Sequence, residues 1–303
     1  MRMSHIARSV PGSDPGAGPL GQLVAALSAI CARITFAVQC AYLLGSVARS
    51  EEGPLSDLDL AVLFDDDVPA SRRLEQAAEI VEEAERMTGR QVDILILNEA
   101  PPALRYRVVC NGLVLCARDD PGPIAFEARA LDEFLDFKPT LALYDRLLLA
   151  RAHEGPLALD GRVIAARLAV LDENLRLLAP FARLDASTFA ADPRNYGAAE
   201  RFLQLAIESV FDIGTHCIAA LGMRRPSTYA DIVPTLAEAS IVSQKTAEEL
   251  KSLAGFRNLL VHDYTRLDRH RVHAFLGTRL EGLRHFAADV ATYLGSHDTG
   301  EHR

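Results

Sequence analysis

Two stretches of this 303-residue chain combine residue types that could do chemistry. The first runs from Tyr42 to Phe64. Leu43-Leu44 leads into Gly45-Ser46, and after an intervening segment Asp57-Leu58-Asp59 opens the apolar run Leu60 to Phe64. Asp57 and Asp59 on a strand project to the same side, because strand side chains alternate. Same-side carboxylates repel unless a cation lies between them, and a hard divalent ion such as Mg²⁺, which takes oxygen ligands, meets that need. Gly45 lets a ligand approach the backbone closely, and Ser46 offers a hydroxyl and an N–H at a strand-to-helix turn, a plausible phosphate seat. The bland alternative is a solvated turn. The second stretch is Phe256-Arg257-Asn258-Leu259-Leu260-Val261-His262-Asp263-Tyr264. An arginine can hold a phosphate bidentately, and a histidine can take or give a proton near neutral pH. Together they could cleave RNA through its own 2′-hydroxyl without a metal. The alternative is a histidine and a tyrosine packed at a helix end.

The elements that must position these groups follow from periodicity and turn residues. Leu20 to about Ala37 reads as a helix with Leu23, Ala26, Leu27, Ile30 and Ile34 on one face. Strands are expected near 41–44 and 59–64, Asp65 to Pro69 is a turn, and Ala70 to Met87 is a charged helix ended by Gly89. Gln91 to Leu97 and Gly112 to Ala117 read as further strands. Ile124 to about Ala152 is a long helical pattern containing Pro139, and His153 to Pro156 is the best linker. Everything beyond is helical: near 160–180, 195–221, 228–238, 244–262 and 268–294. Glu200, Gln204, Glu208 and Asp212 fall at four-residue steps and so share one stripe, expected to be the wet face.

Composition bounds the rest. The chain carries a net charge of −9, so nothing pulls it globally towards nucleic acid, and any RNA contact needs a local patch. Lys251, Arg266, Arg269, His270, Arg271 and His273 supply such a patch, or else a solvated helix face. The five cysteines are scattered without metal spacing, as buried thiols of a reducing cytoplasm would be. Residues 1–18 read as a flexible tail rather than a signal peptide. The apolar stretch from Leu20 to Leu44 is interrupted by Arg33 and ends in a turn, so a helix and a strand explain it better than a membrane span.

Gly45-Ser46, Arg49 and Ser56-Asp57-Leu58-Asp59-Leu60 together resemble the nucleotidyltransferase superfamily with the DNA-polymerase-beta-type fold, in particular the minimal nucleotidyltransferases. The resemblance implies nucleotide binding through Gly45, Ser46, Arg49 and Ser56. It also implies a third carboxylate on a later strand, which Asp93 supplies, and two Mg²⁺ ions held by Asp57, Asp59 and Asp93 with ATP as substrate. The segment Arg257 to Tyr264, with the helix around Ala199 to Gln204, is similar to the HEPN ribonucleases and specifically to HepT toxins. That likeness covers roughly 156–295. It implies catalytic Arg257, Asn258 and His262, with Tyr264 as the residue modified. The bare spacing is weak, because Arg266–His273 and Arg279–His285 also approximate it. Positions five apart on a regular helix lie about 140° from each other, so Arg257 and His262 converge only if the helix is irregular or if two protomers share the site. The second is what the resemblance implies, with a homodimer or higher homo-oligomer.

HepT toxins typically accompany MntA antitoxins, minimal nucleotidyltransferases that transfer AMP from ATP to the toxin tyrosine. The chain looks like the two fused. The expected architecture is α+β: a tail over 1–18, a small mixed-sheet nucleotidyltransferase domain over 19–155, and an all-α HEPN bundle over 156–303. The expected function is a cytoplasmic, self-neutralising toxin–antitoxin fusion with no membrane association. Its partners are ATP and RNA, and AMP on Tyr264 silences the ribonuclease. The alternatives are an aminoglycoside-type nucleotidyltransferase with a helical scaffold and a non-catalytic nucleotide-binding regulator.

Overall fold

The computed structural model describes residues 3–4, 19–34, 37–49, 57–154, 159–262 and 268–297. The chain forms two compact units, Met1–Leu135 and Asp136–Arg303. The division falls inside one long helix, whereas the sequence puts it at 155/156.

In the first unit a five-stranded mixed sheet is built from β1 (Met3–Ser4), β2 (Val38–Leu43), β3 (Leu58–Phe64), β4 (Val92–Ile96) and β5 (Leu113–Arg118), in the order β1-β5-β2-β3-β4. The pairs are antiparallel except β3 with β4, which is parallel. A parallel pair needs a crossover, and α3 (Ala70–Thr88) provides it. Alternation along β3 divides the core. Leu58, Leu60, Val62 and Phe64 point to the side where α1 (Pro19–Ile34) and α3 place Leu27, Ile30 and Ile80. Ala61 and Leu63 point to the other side, towards Val108 and Phe126. Those two residues belong to α4 (Pro102–Asn111) and the start of α5 (Pro121–Glu154), while α2 (Gly45–Ala48) is a single turn after β2. Phe64 and Ile80 are fully buried, each contributing about 1.5–3 kcal/mol of transfer free energy.

Local chemistry sets the ends. Gly89 terminates α3 in the left-handed region at φ 67°, its N–H bonded to the Glu85 carbonyl at 2.8 Å. The Asn98 side chain pairs with both backbone groups of Phe64 at 2.9 Å and so seals the end of β3. Asp65 in the acidic turn is forked by Arg118 (2.8 Å on one arm), so that acid is structural. Helix α4 is an addition to the sequence reading. Its pattern of Arg105, Tyr106 and Arg107 among valines is weakly amphipathic, and Pro101-Pro102 at its start is as compatible with a loop as with a first helical turn. Pro139 lies inside α5 without ending it.

The second unit is helical throughout its described residues. It holds the remainder of α5, then α6 (Gly161–Leu178), α7 (Ala186–Ala191), α8 (Pro193–Ala220), α9 (Ile232–Glu238), α10 (Gln244–Glu249), α11 (Leu253–His262) and α12 (Arg269–His297), with 3₁₀ turns at Phe181–Arg183 and Tyr229–Asp231. Side-chain caps start several helices. Asp160 accepts the N–H groups of Arg162 and Val163, Asp192 that of Arg194, and Ser243 that of Thr246. Helix α8 is central, with Leu203, Ile207, Val210, Ile213 and Ile218 fully buried. The single helix expected over 244–262 is two, because Leu250 to Ser252 leave the helical path and the Leu253 N–H bonds back to the Leu250 carbonyl at 2.9 Å. The expected wet stripe on α8 is only half solvated. The Gln204 amide donates to Glu208 at 2.8 Å, Arg167 pairs with Asp212 at 3.4 Å, and burial raises the carboxyls of Glu200 and Asp212.

Candidate functional site

In the first unit, Asp59 on β3 and Asp93 on β4 are directly paired in the parallel ladder. Paired residues of adjacent strands face the same side of a sheet. The core confirms this independently: Ala61 and Leu63, on the side of Asp59, and Leu95 and Leu97, on the side of Asp93, join one cluster, while the intervening residues join the other. Asp57, two residues before Asp59, belongs to the same side by alternation. It is exposed, as is Asp93, and Asp59 is half-buried.

Gly45 lies against this group. It has φ +73°, and a Cβ placed on it would run into the Asp59 carboxylate. The Leu44 N–H donates to the Asp59 carbonyl at 2.8 Å, which ties the turn to the strand. The turn is therefore a glycine for two reasons, its backbone angle and the carboxylate overhead. Ser46, half-buried, follows in α2, whose carbonyl accepts the Arg49 N–H at 3.2 Å. Ser56 lies outside the described residues. Gly45→Ala is expected to cost about 1–3 kcal/mol of stability from backbone strain and to displace Asp59. Thermal unfolding together with nucleotidyl-transfer rates checks this; an alanine variant as stable and active as the parent contradicts it.

Among the described residues no group of three or more His, Cys, Asp or Glu is drawn together closely enough to hold a metal ion. The three acids share a face but do not converge, so the closed triad that the sequence suggests is not present as such. The donor set nonetheless fits a hard cation: three carboxylates on one face, all hard oxygen donors, two of them exposed and therefore accessible. On the same side of the sheet, the Tyr42 hydroxyl donates to Glu127 at 3.1 Å, and burial pushes its phenol well above the usual value, so Tyr42 is a strut rather than a reactive group.

In the second unit, Arg257, Asn258 and His262 all lie on α11, a regular helix in which positions 257 and 262 are about 140° apart. Tyr264 lies outside the described residues. Arg257 is where the structure departs most from the sequence reading, which gives it a phosphate to hold. It is 5% exposed, and its guanidinium is forked onto Asp136 of α5, with one arm at 2.6 Å and a shorter one between Nη1 and Oδ2. The Tyr229 ring covers it at 4.8 Å. Tyr229 in turn is edge-on to Phe137 and beside Phe211, and its hydroxyl donates to the Asp136 carbonyl at 3.3 Å. Burial raises the Tyr229 phenol, so it stays neutral. Neither Asp136 nor Tyr229 is singled out by the sequence reading. The available signal was an acid inside the apolar run Phe134-Leu135-Asp136-Phe137, since a charge on an apolar helix face needs a partner.

The competing arginine–histidine spacing resolves differently. Arg279 donates to the Glu249 carbonyl at 2.8 Å and His285 pairs with the Glu249 carboxylate at 2.7 Å, so both are committed to one residue at the bundle surface. The expected basic patch is partly structural as well. Arg269 stacks on Tyr196 at 4.0 Å, and His273 bonds the Leu184 carbonyl at 2.7 Å. Arg271 and His270 stay exposed, and Arg266 lies outside the described residues. No helix among the described residues is long and apolar enough to cross a membrane.

Residues 27–121 match the polymerase beta nucleotidyltransferase family, and residues 171–290 match the ribonuclease HepT-like family. The chain is 31% identical over 97 residues to the putative RNase YutE of Bacillus subtilis, covering 32% of this chain and 67% of that one. It is 24% identical over 132 residues to the tRNA nuclease HepT of Aphanizomenon flos-aquae, covering 44% and 90%. Among solved structures, YutE from Bacillus subtilis, described as a cytosolic protein of unknown function, aligns at 26% identity over 46% of this chain and 92% of that chain, with a TM-score of 0.41. The tri-AMPylated Shewanella oneidensis HEPN toxin in complex with MNT antitoxin aligns at 24% identity over 43% and 97%, with a TM-score of 0.40. The first match holds Gly45, Asp57, Asp59 and Asp93, and the second holds the whole segment from Arg257 to Tyr264. The chain thus belongs to the HepT-like ribonuclease family through its helical half, which a polymerase-beta-type nucleotidyltransferase domain precedes on the same polypeptide.

Proposed function

We propose that this chain is a self-neutralising toxin–antitoxin fusion, in which the nucleotidyltransferase domain transfers AMP from ATP to Tyr264 and so inhibits RNA cleavage by the helical domain. The observation that supports it best is the in-register pair Asp59–Asp93 beside Gly45, standing in the same chain as a HepT-like domain whose sequence carries a phenol, Tyr264, two residues past its candidate base. In the transfer the phenol oxygen forms a bond to the α-phosphorus of ATP. The bond from that phosphorus to the oxygen bridging to the β-phosphate breaks, pyrophosphate leaves, and the phenolic proton passes to a carboxylate or to water. Asp57, Asp59 and Asp93 are the residues to hold Mg²⁺, which supplies charge neutralisation on the phosphates and a more acidic acceptor hydroxyl. Gly45 gives the Asp59 carboxylate room at the backbone, and Ser46, Arg49 and Ser56 hold the phosphates.

For the helical domain the substrate class is RNA. The 2′-hydroxyl attacks the adjacent phosphorus, the bond to the 5′-oxygen breaks, and His262 moves the proton, with Asn258 orienting the backbone. AMP on Tyr264, two residues from His262, adds bulk and negative charge where an RNA phosphate must sit. The likeness to HepT toxins favours a site completed by a second copy of the chain. The test is intact mass after incubation of the full chain with ATP and Mg²⁺. A gain of one or more AMP groups is expected, absent in Tyr264→Phe; no gain, or a gain undiminished in Tyr264→Phe, contradicts the proposal.

A further inference from the structure

Helix α12 opens with Arg269, seven residues after the His262 that ends α11, so the two backbones lie within about 25 Å of each other. The Arg269 guanidinium lies over the Tyr196 ring of α8, 4.0 Å from its centroid, and one Nη1 N–H donates to the Ala190 carbonyl at 3.2 Å. The first turns of α12 are fixed around it. Asp268 accepts the His270 N–H at 2.9 Å, and the His273 ring bonds the Leu184 carbonyl at 2.7 Å and lies 5.2 Å from the Phe189 ring. Tyr196 is half-buried and Arg269 is exposed. The ring therefore backs one face of the guanidinium, and the other face is open to solvent.

This arginine is held but largely unused. Of the five N–H donors of a guanidinium, one is taken by the Ala190 carbonyl, and four have no partner among the described residues. Glu200, one turn along α8 from Tyr196, feels the Arg269 charge, which opposes the rise that burial gives its carboxyl. No carboxylate among the described residues forks the guanidinium. A flat cation with one free face and spare donors at its edge suits a flat ligand rich in acceptors. Bases of single-stranded RNA that leave the stack lie on aromatic rings or on arginine planes. A base on the open face would complete a base–arginine–tyrosine stack, and the spare N–H groups would reach its edge or a neighbouring phosphate. Because Tyr196 sets the plane in advance, the cost of ordering a long side chain on binding is reduced. We propose that Arg269, backed by Tyr196, is the seat of an unstacked base of the RNA substrate. The proposal rests on the ribonuclease reading of the helical domain.

The experiment uses the full chain, shown by mass to carry no nucleotide. Binding is measured by anisotropy with a mixed-sequence single-stranded 2′-O-methyl RNA, which lacks the attacking hydroxyl and so is bound without being cut. Cleavage of a bulk cellular RNA preparation gives kcat and KM separately. Arg269→Ala is expected to weaken binding and raise KM roughly 5- to 150-fold, the scale of one stacked base, with kcat within about twofold. Arg269→Lys keeps the charge but has no plane, and it should recover little of the loss. It also carries the test if Arg269→Ala is unfolded at the assay temperature. Tyr196→Phe keeps the ring beneath the guanidinium and should bind like the parent, whereas Tyr196→Ala should weaken binding. An Arg269→Ala chain that binds RNA as tightly as the parent overturns the proposal. So does an Arg269→Lys chain with the parent's affinity, since charge alone would then suffice, and so does a loss confined to kcat. If the parent neither binds nor cleaves RNA, the ribonuclease reading fails and the proposal falls with it. If the parent cleaves and Arg269→Ala matches it in both assays, only the proposal falls.

Discussion

Replacing Asp59 with asparagine is expected to reduce nucleotidyl transfer by roughly 10³-fold or more, the scale at which preorganised electrostatic groups contribute to catalysis, while leaving the fold intact. Asp59 faces Asp93 across the ladder, and its structural bond is made by its backbone carbonyl, which accepts the Leu44 N–H at 2.8 Å. Asparagine keeps that bond and the shape while removing the charge. Without a cation between them, same-face carboxylates oppose each other, so the variant should be as stable as the parent or more stable by up to about 1 kcal/mol. Activity and stability thus move in opposite directions. Product formation from ATP and the thermal midpoint measured on the same preparation check this. A variant that loses stability along with activity would make Asp59 a structural residue and leave the transfer site without its central ligand.

Arg257→Ala is expected to destabilise the helical unit by about 3–5 kcal/mol, because it removes a buried guanidinium and its fork onto the Asp136 carboxylate. For a unit of this size that lowers the thermal midpoint by on the order of 10 °C. The double replacement Arg257→Met with Asp136→Leu should recover most of the loss, since two apolar side chains need no partner and can fill the space beside Tyr229 and Phe137. Calorimetry of the parent, the single variants and the double variant completes a cycle. Additive losses would mean that the pair has no coupling and that Arg257 is held by packing alone.

The shared face of Asp59 and Asp93 was legible because a parallel β-ladder converts sequence position into direction. Asp57 just ahead of β3, Asp59 on it, and Asp93 near the start of β4 leave one register to settle, and the alternating apolar residues around them settle it. Gly45 was legible as a close-approach residue, although the group approaching it, the Asp59 carboxylate, comes from another strand. Convergence of the acids was not readable, since it depends on side-chain rotamers rather than on register. The environment of Arg257 was not readable for a different reason. Its partner lies 121 residues earlier, on the far part of a helix that continues the first domain, and local pattern carries no information about a contact at that separation. Helix α4 and the break at Leu250 to Ser252 were missed where propensity is nearly balanced and tertiary packing decides.

The central claim is that the first half of the chain switches off the second. Its most direct test is RNA cleavage by the full chain, sampled as ATP and Mg²⁺ are added, with the fraction of AMP-carrying protein followed by mass in the same samples. Cleavage should fall in proportion to that fraction and reach zero at full modification, and Asp59→Asn protein under identical conditions should stay unmodified and keep cutting. Cleavage that persists in fully modified protein would contradict the account.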